Sequence, residues 1–300
     1  MTTLFGIALG LAAALSQCFA YLISRAFVVR HRHAFVGLLL TSHLYMGAMA
    51  LVVLVLSWSP VMPPASQFAL PLAGATLAYL LGQGAMLLLM HFTNPSRVAP
   101  LLGAKILILA ILATAFFGYR LAPLQIAAVA ACAGAVVLLN YSGGSLTLPA
   151  LFILLVACTG YALSDLHIHA LIQGLSPLRP LHAAVVGGAL CYVLCGALSM
   201  LLLPWLVRRR MVVDWRYALP FAVFWYAAML GLFGSIGFVG PVFGAILQSS
   251  RGLMSIVIGV FVARLGWLHI EQHHARHVWV KRAAATVLMS LAIGLYAAGG

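Results

Sequence analysis

Ten continuous apolar runs fill this 300-residue chain from end to end, at 3–28, 34–58, 66–91, 95–117, 121–141, 147–171, 181–206, 217–238, 241–263 and 279–298. Each is about 20 residues or more, the length that crosses the hydrocarbon core of a bilayer as a helix. Hydrocarbon offers backbone N–H and C=O groups no partner, so only helices and closed barrels span it. The runs are unbroken rather than alternating, which excludes barrel strands. With 65% hydrophobic and 6% charged residues, there is too little polar surface to cover a water-soluble fold of this size. The expected fold is therefore an all-α integral membrane protein with ten transmembrane helices, multi-pass in the cell (inner) membrane. The first run lacks the basic stretch of a secretory signal and is expected to remain in the protein.

The chain also repeats itself. Cys18-Phe19-Ala20-Tyr21-Leu22-Ile23-Ser24-Arg25 is echoed by Cys158-Thr159-Gly160-Tyr161-Ala162-Leu163-Ser164-Asp165, and Phe68-Ala69-Leu70-Pro71 by Tyr217-Ala218-Leu219-Pro220. Pro95 stands ten residues before Lys105, as Pro241 does before Arg251. The echoes keep the same order, at offsets of 140, 149 and 146 residues. Five runs precede the Asn140-Tyr141-Ser142-Gly143-Gly144 turn and five follow it. This divides one membrane domain into repeats 1–145 and 146–300. An odd number of spans per repeat makes the second an inverted copy, and inverted repeats are a mark of secondary transporters.

The net charge of +13 is a topology signal. Twelve of the sixteen Lys and Arg lie in or beside the odd connections, among them Arg208, Arg209, Arg210, Arg276, Lys281 and Arg282. Cytoplasmic loops carry the excess of Lys and Arg. The odd loops are thus expected inside and both termini outside. A basic soluble domain would suggest nucleic acid. No segment here is long or polar enough to form one, so no nucleic-acid partner is expected.

The stretches Pro95–Tyr141 and Pro241–Tyr296 resemble the EamA type of the drug/metabolite transporter superfamily. In both, a Pro-started helix runs through small residues and a short turn into a helix rich in Ala and Gly. That resemblance implies ten helices in two five-helix inverted repeats and a carrier function. Distant sugar-phosphate members also use cations on the fourth and ninth helices. The family's frequent Gly-Glu-Arg after the fourth helix reads Gly118-Tyr119-Arg120 here, and Leu265-Gly266-Trp267 in the second copy. Family members usually place their termini in the cytoplasm, which is opposite to the charge bias of this chain.

A charge inside a span is costly and tends to face the bundle and mark a pathway. Lys105 and Arg251 each fall roughly 15 Å past their span's proline at the rise of a helix. They read as a cationic pocket for a carboxylate or phosphate, with Arg offering a fork and Lys a point charge. The alternative is that each bonds backbone carbonyls, or that Arg251 pairs with Asp165. Asp165 is the only acid within a span. It is a possible coupling residue, or a helix-end residue or salt-bridge partner. Further substrate-binding candidates are Gln248 beside Arg251, Gln17 and Tyr21 at i, i+4, Gln83, Tyr161 and Trp225. Gly82, Gly84, Gly231, Gly234 and Gly237 read as close-packing positions.

His269, His273 and His277 recur at i, i+4, but Glu271 is misplaced for a His-Glu-x-x-His site, and the segment reads as a connector. No metal site is assigned. No phosphate-binding glycine loop ends in Gly-Lys-Ser/Thr, so no cofactor and no direct use of ATP are expected. The function expected is a secondary carrier, not an enzyme, moving a small anionic or zwitterionic metabolite across the bilayer by alternating access. The alternative is a membrane enzyme or lipid-handling protein that holds a phosphate headgroup on Lys105 and Arg251.

Overall fold

The apolar runs fold as helices. The computed structural model describes residues 2–30, 35–89, 92, 101–140, 147–264 and 276–299, and among these every regular element is helical. They are α1 (Thr2–Arg30), α2 (Phe35–Leu56), α3 (Ala69–Leu89), α4 (Lys105–Phe116), α5 (Pro123–Asn140), α6 (Leu148–Gly174), α7 (Pro180–Leu201), α8 (Leu203–Arg208), α9 (Trp215–Val239), α10 (Pro241–Ser249), α11 (Arg251–Arg264) and α12 (Arg276–Ala298). Among the described residues, α1, α2, α3, α6, α7 and α9 contain stretches long and apolar enough to cross a membrane. The protein is thus an all-α chain built as a multi-pass membrane protein. Pro95, Glu271, His269, His273 and the 141–144 turn lie outside the described residues.

Local chemistry sets the boundaries. Proline opens α7 at Pro180 and α10 at Pro241, where its missing N–H costs nothing and its φ is already helical. The seventh run is cut short for the same reason: α7 stops at Leu201, and Pro204 stands in the first turn of the separate α8. Asp214 caps α9 by accepting the Arg216 N–H at 3.0 Å. Gly240 ends α9 at φ 80°, a left-handed backbone that turns the chain directly into α10.

The outward faces of the helices are as apolar as their core. On α3, Leu70, Leu77, Leu81 and Leu88 are exposed along the outside, while Thr76, Tyr79 and Gln83 are buried. Apolar side chains face what would be lipid, and polar groups face the bundle, where partners exist.

The pairing of the runs has a hidden order. α1 lies along α9 and α3 along α6, while α2 pairs with α7 and α5 with α12. The fourth run, through α4, meets α6; the ninth, through α10 and α11, meets α1. Numbering the runs one to ten, these contacts are 1·8, 3·6, 2·7, 5·10, 4·6 and 9·1. Exchanging every run with the one five places away converts 1·8 into 6·3 and 4·6 into 9·1. It returns 2·7 and 5·10 to themselves. Small residues permit the crossings. A Cβ on Gly160 would come within 2.7 Å of the Gly82 nitrogen, and one on Gly196 within 2.7 Å of the Gly47 Cα. Gly231 faces the Leu9 carbonyl in the same close manner. Gly84, read from sequence as a packing position, meets nothing within 4 Å.

Candidate functional site

Two runs tighten at one point, and a cation stands at each. In the fourth run a 3-10 turn, Leu102–Ala104, leads into α4, whose first residue is Lys105. The Lys105 N–H bonds the Leu102 carbonyl three residues back. In the ninth run α10 ends at Ser249 and α11 begins at Arg251. Here the Ser250 N–H bonds the Leu247 carbonyl, again three residues back, at 3.2 Å. A 3-10 stretch within a helix marks strain or a hinge. The serine hydroxyls back-bond to the same segment: Ser249 Oγ donates to Ile246 O at 2.5 Å and Ser250 Oγ to Leu247 O at 2.7 Å.

Each tightened turn is met by the same motif from the opposite half of the chain. Cys18 on α1 donates its thiol to the Arg251 carbonyl at 3.3 Å, and the Arg251 guanidinium lies 5.8 Å from the centre of the Tyr21 ring. Cys158 lies on α6 beside Lys105, and Lys105 Nζ lies 6.0 Å from the centre of the Tyr161 ring. Cation–ring attraction of this kind strengthens when water is excluded. The Tyr21/Tyr161 echo and the Lys105/Arg251 echo are therefore one arrangement, built twice across the two halves.

The two cations differ in counter-charge. Lys105 Nζ donates to Asp165 Oδ2 at 2.9 Å and to Gln248 Oε1 at 2.5 Å, with both ends of the ion pair buried. Arg251 donates to the neutral Gln17 Oε1 at 2.8 Å. It makes no ion pair among the described residues, and its Nε is buried without a partner although the residue is only 4% exposed. The alternative pairing of Arg251 with Asp165 is not what forms. Nor does Asp165 sit at a helix end. α6 runs on to Gly174, which places the carboxylate well inside it, at the centre of the bundle.

These groups line a central cavity. Gln17, Tyr21, Lys105, Tyr161, Asp165, Trp225, Gln248 and Arg251, all expected from sequence, converge on it. The cavity is small as it stands: the centres of water-sized molecules can occupy about 30 Å³ of it. Gln83 is the exception. It is buried one layer back, where its side-chain carbonyl accepts the Tyr161 hydroxyl, so it positions a lining ring instead of touching the cavity.

Sequence reasoning missed the other wall, made by Tyr79, Tyr192, Cys191, Cys195, Met229 and Phe233. Its polar atoms serve each other. Trp225 Nε1–H donates to the Tyr192 hydroxyl at 3.1 Å. On α2, His43 Nδ1 lies 2.7 Å from the Leu39 carbonyl, which can only accept, so Nδ1 carries the proton. Nε2 of the neutral ring then accepts from the Tyr79 hydroxyl, 3.1 Å away. A signal for Tyr79 was present: it stands i−4 from Gln83, the spacing that marks Gln17 and Tyr21. Tyr192, between two cysteines in an apolar run, carries no such signal.

No family model matches this chain, and no curated protein does. Among solved structures, one described only as "Crystal structure of protein" aligns at TM-score 0.57 and 14% identity, covering 97% of this chain and 98% of its own. At that identity the likeness concerns the fold alone, and it extends over nearly the whole of both chains.

Proposed function

We propose that the protein is a secondary carrier of the EamA, drug/metabolite transporter type. In this reading it moves a small anionic or zwitterionic metabolite across the cell (inner) membrane by alternating access. The observation that carries the reading is the doubled central site: two buried cations, each at a tightened turn of a helix and each resting on a tyrosine from the other half, around one cavity. Carriers built from repeats bind substrate where the repeats meet, at interrupted helices. The exchange symmetry of the helix pairing supports ten transmembrane helices in two inverted repeats, 1–145 and 146–300. The charge bias supports odd loops inside and both termini outside.

An enzyme would need a free nucleophile at the cations. The serine and threonine hydroxyls that line the cavity are committed elsewhere: Ser164 donates to the Ala75 carbonyl at 3.0 Å and Thr76 to the Leu72 carbonyl at 2.8 Å. This favours a binding site that releases its ligand unchanged, with the lipid bilayer and a small molecule as its partners.

The test is flux of a labelled metabolite panel into proteoliposomes. Uptake of at least one carboxylate, abolished by Arg251→Gln in protein that still elutes as a single folded species, is the expected result. Normal flux in Arg251→Gln, or chemical conversion of the panel without flux, refutes the carrier.

A further inference from the structure

We propose that the central cavity seats a single negative charge carried on an apolar body, with Arg251 as its anchor and Lys105 withheld by Asp165. This rests on the carrier reading and narrows its substrate to a monoanion. Among the described residues, three charged side chains line the cavity: Lys105, Arg251 and Asp165. The Lys105 ammonium is matched by the Asp165 carboxylate at 2.9 Å and engaged by Gln248 at 2.5 Å. Among the described residues Arg251 has the neutral Gln17 and the Tyr21 ring, and a buried Nε with no hydrogen-bond partner. The lining therefore carries one positive charge in excess, and that charge belongs to Arg251.

Charge balance then sorts the ligands. A buried cation without a counter-ion is costly, and so is a buried anion. A monocarboxylate on Arg251 cancels the excess. A dianion leaves one negative charge over, and a neutral molecule leaves Arg251 unmatched. A zwitterion brings an ammonium that needs a carboxylate. Asp165 is the only carboxylate among the described lining residues, and Lys105 holds it.

The remaining wall selects the body. Tyr79, Tyr192, Trp225, Met229, Leu232 and Phe233 form it. The Trp225 N–H is taken by Tyr192 and the Tyr79 O–H by His43. Ring faces and edges are left to meet the ligand, which suits a flat apolar group. Tyr21 stands between the two regions, against Arg251 at 5.8 Å and edge-on to Trp225 at 5.8 Å. A ligand on Arg251 is thus directed along Tyr21 toward Trp225.

The test uses purified full-length protein in detergent micelles, with binding read by quenching of tryptophan fluorescence. The ligands are hydrocinnamate, phenylpropanol, phenylsuccinate, phenylalanine and butyrate, which vary charge and body separately. Hydrocinnamate is expected to bind at least about tenfold tighter than each of the others, the size of one charge-assisted hydrogen-bonded contact. Arg251→Gln should erase the preference for hydrocinnamate over phenylpropanol. Asp165→Asn adds one unit of positive charge and should move the preference toward phenylsuccinate. The wild-type series stands even where a variant fails to fold. Phenylsuccinate or phenylalanine binding as tightly as hydrocinnamate, or no binding by any of the set, overturns the proposal. Flux separates this from the carrier reading. Binding in the expected order without transport sinks the carrier and keeps the seat, whereas robust transport of dianions keeps the carrier and sinks the seat.

Discussion

The Lys105–Asp165 pair allows a quantitative test of how charge is balanced inside the bundle. Both groups are buried and 2.9 Å apart. At an effective dielectric of about 20, two unit charges at that separation attract by roughly 6 kcal/mol. Desolvation offsets much of this, so the informative perturbation is removal of one partner, which typically costs about 3–5 kcal/mol. The structure makes the two single substitutions unequal. Asp165→Asn leaves Lys105 and Arg251 as two unmatched cations lining one cavity, with Gln248 as the remaining strong acceptor for Lys105. Lys105→Met leaves Asp165 beside Arg251, whose field already reaches it, and the lining is then neutral. Asp165→Asn should therefore lie within that range, Lys105→Met below it, and the double substitution below Asp165→Asn alone. The assay is reversible unfolding in mixed micelles with increasing denaturing detergent, followed by circular dichroism and read as a double-mutant cycle. Equal costs for the two single variants, or a double variant that costs their sum, would refute the charge accounting.

Three further predictions address packing, topology and the tyrosine contact. Gly160→Ala places a Cβ within 2.7 Å of backbone on α3, so it should destabilise by about 1–3 kcal/mol. Gly84→Ala meets nothing and should leave the unfolding midpoint unchanged or slightly raised; the two midpoints are compared directly. Reporter fusions at Gly300 and in the Arg208–Arg210 loop should place the first outside and the second inside, and the reverse pair of locations would restore the family's usual orientation. Tyr21→Leu removes the ring beneath Arg251 and should weaken hydrocinnamate binding about two- to fivefold, in line with about 0.5–1 kcal/mol for a cation–ring contact; an unchanged affinity would show that the ring does not hold the guanidinium.

Much of the architecture was legible because bilayer physics leaves few choices. Unbroken apolar runs had to be helices, and the charges inside them were expected to face the bundle. That reasoning brought Lys105, Arg251, Gln248, Gln17 and Tyr21 to one cavity from helices far apart in sequence. It failed where the signal depends on neighbours. Whether Asp165 pairs with Lys105 or Arg251 depends on which helices touch, and α6 meets α4 while α1 meets α10 and α11. Gln83 looks like a pore residue by polarity, yet Tyr161 stands between it and the cavity. The aromatic wall escaped because Tyr192 and Phe233 are ordinary constituents of an apolar run.

The repeated Cys-x-x-Tyr element shows why the repeat itself was informative beyond topology. From the sequence it is a fragment of self-similarity with no stated purpose. In the structure the tyrosine of each copy meets the cation standing at a tightened turn, and in the first copy the cysteine also bonds the backbone there. Both contacts run between halves, never within one. A substitution in either copy therefore acts on the opposite half. If the halves rock against each other to alternate access, Cys18 and Tyr21 on one side, and Cys158 and Tyr161 on the other, must move together with the turns they touch or release them. The 3-10 geometry at Lys105 and Ser250 is the place where such movement costs least, because the helical ladder is already altered there. The asymmetry between the copies then assigns their work. Under the proposed monoanion seat, the cation paired with Asp165 would hold the frame, while the one bonded to Gln17 would take the ligand that brings the missing charge.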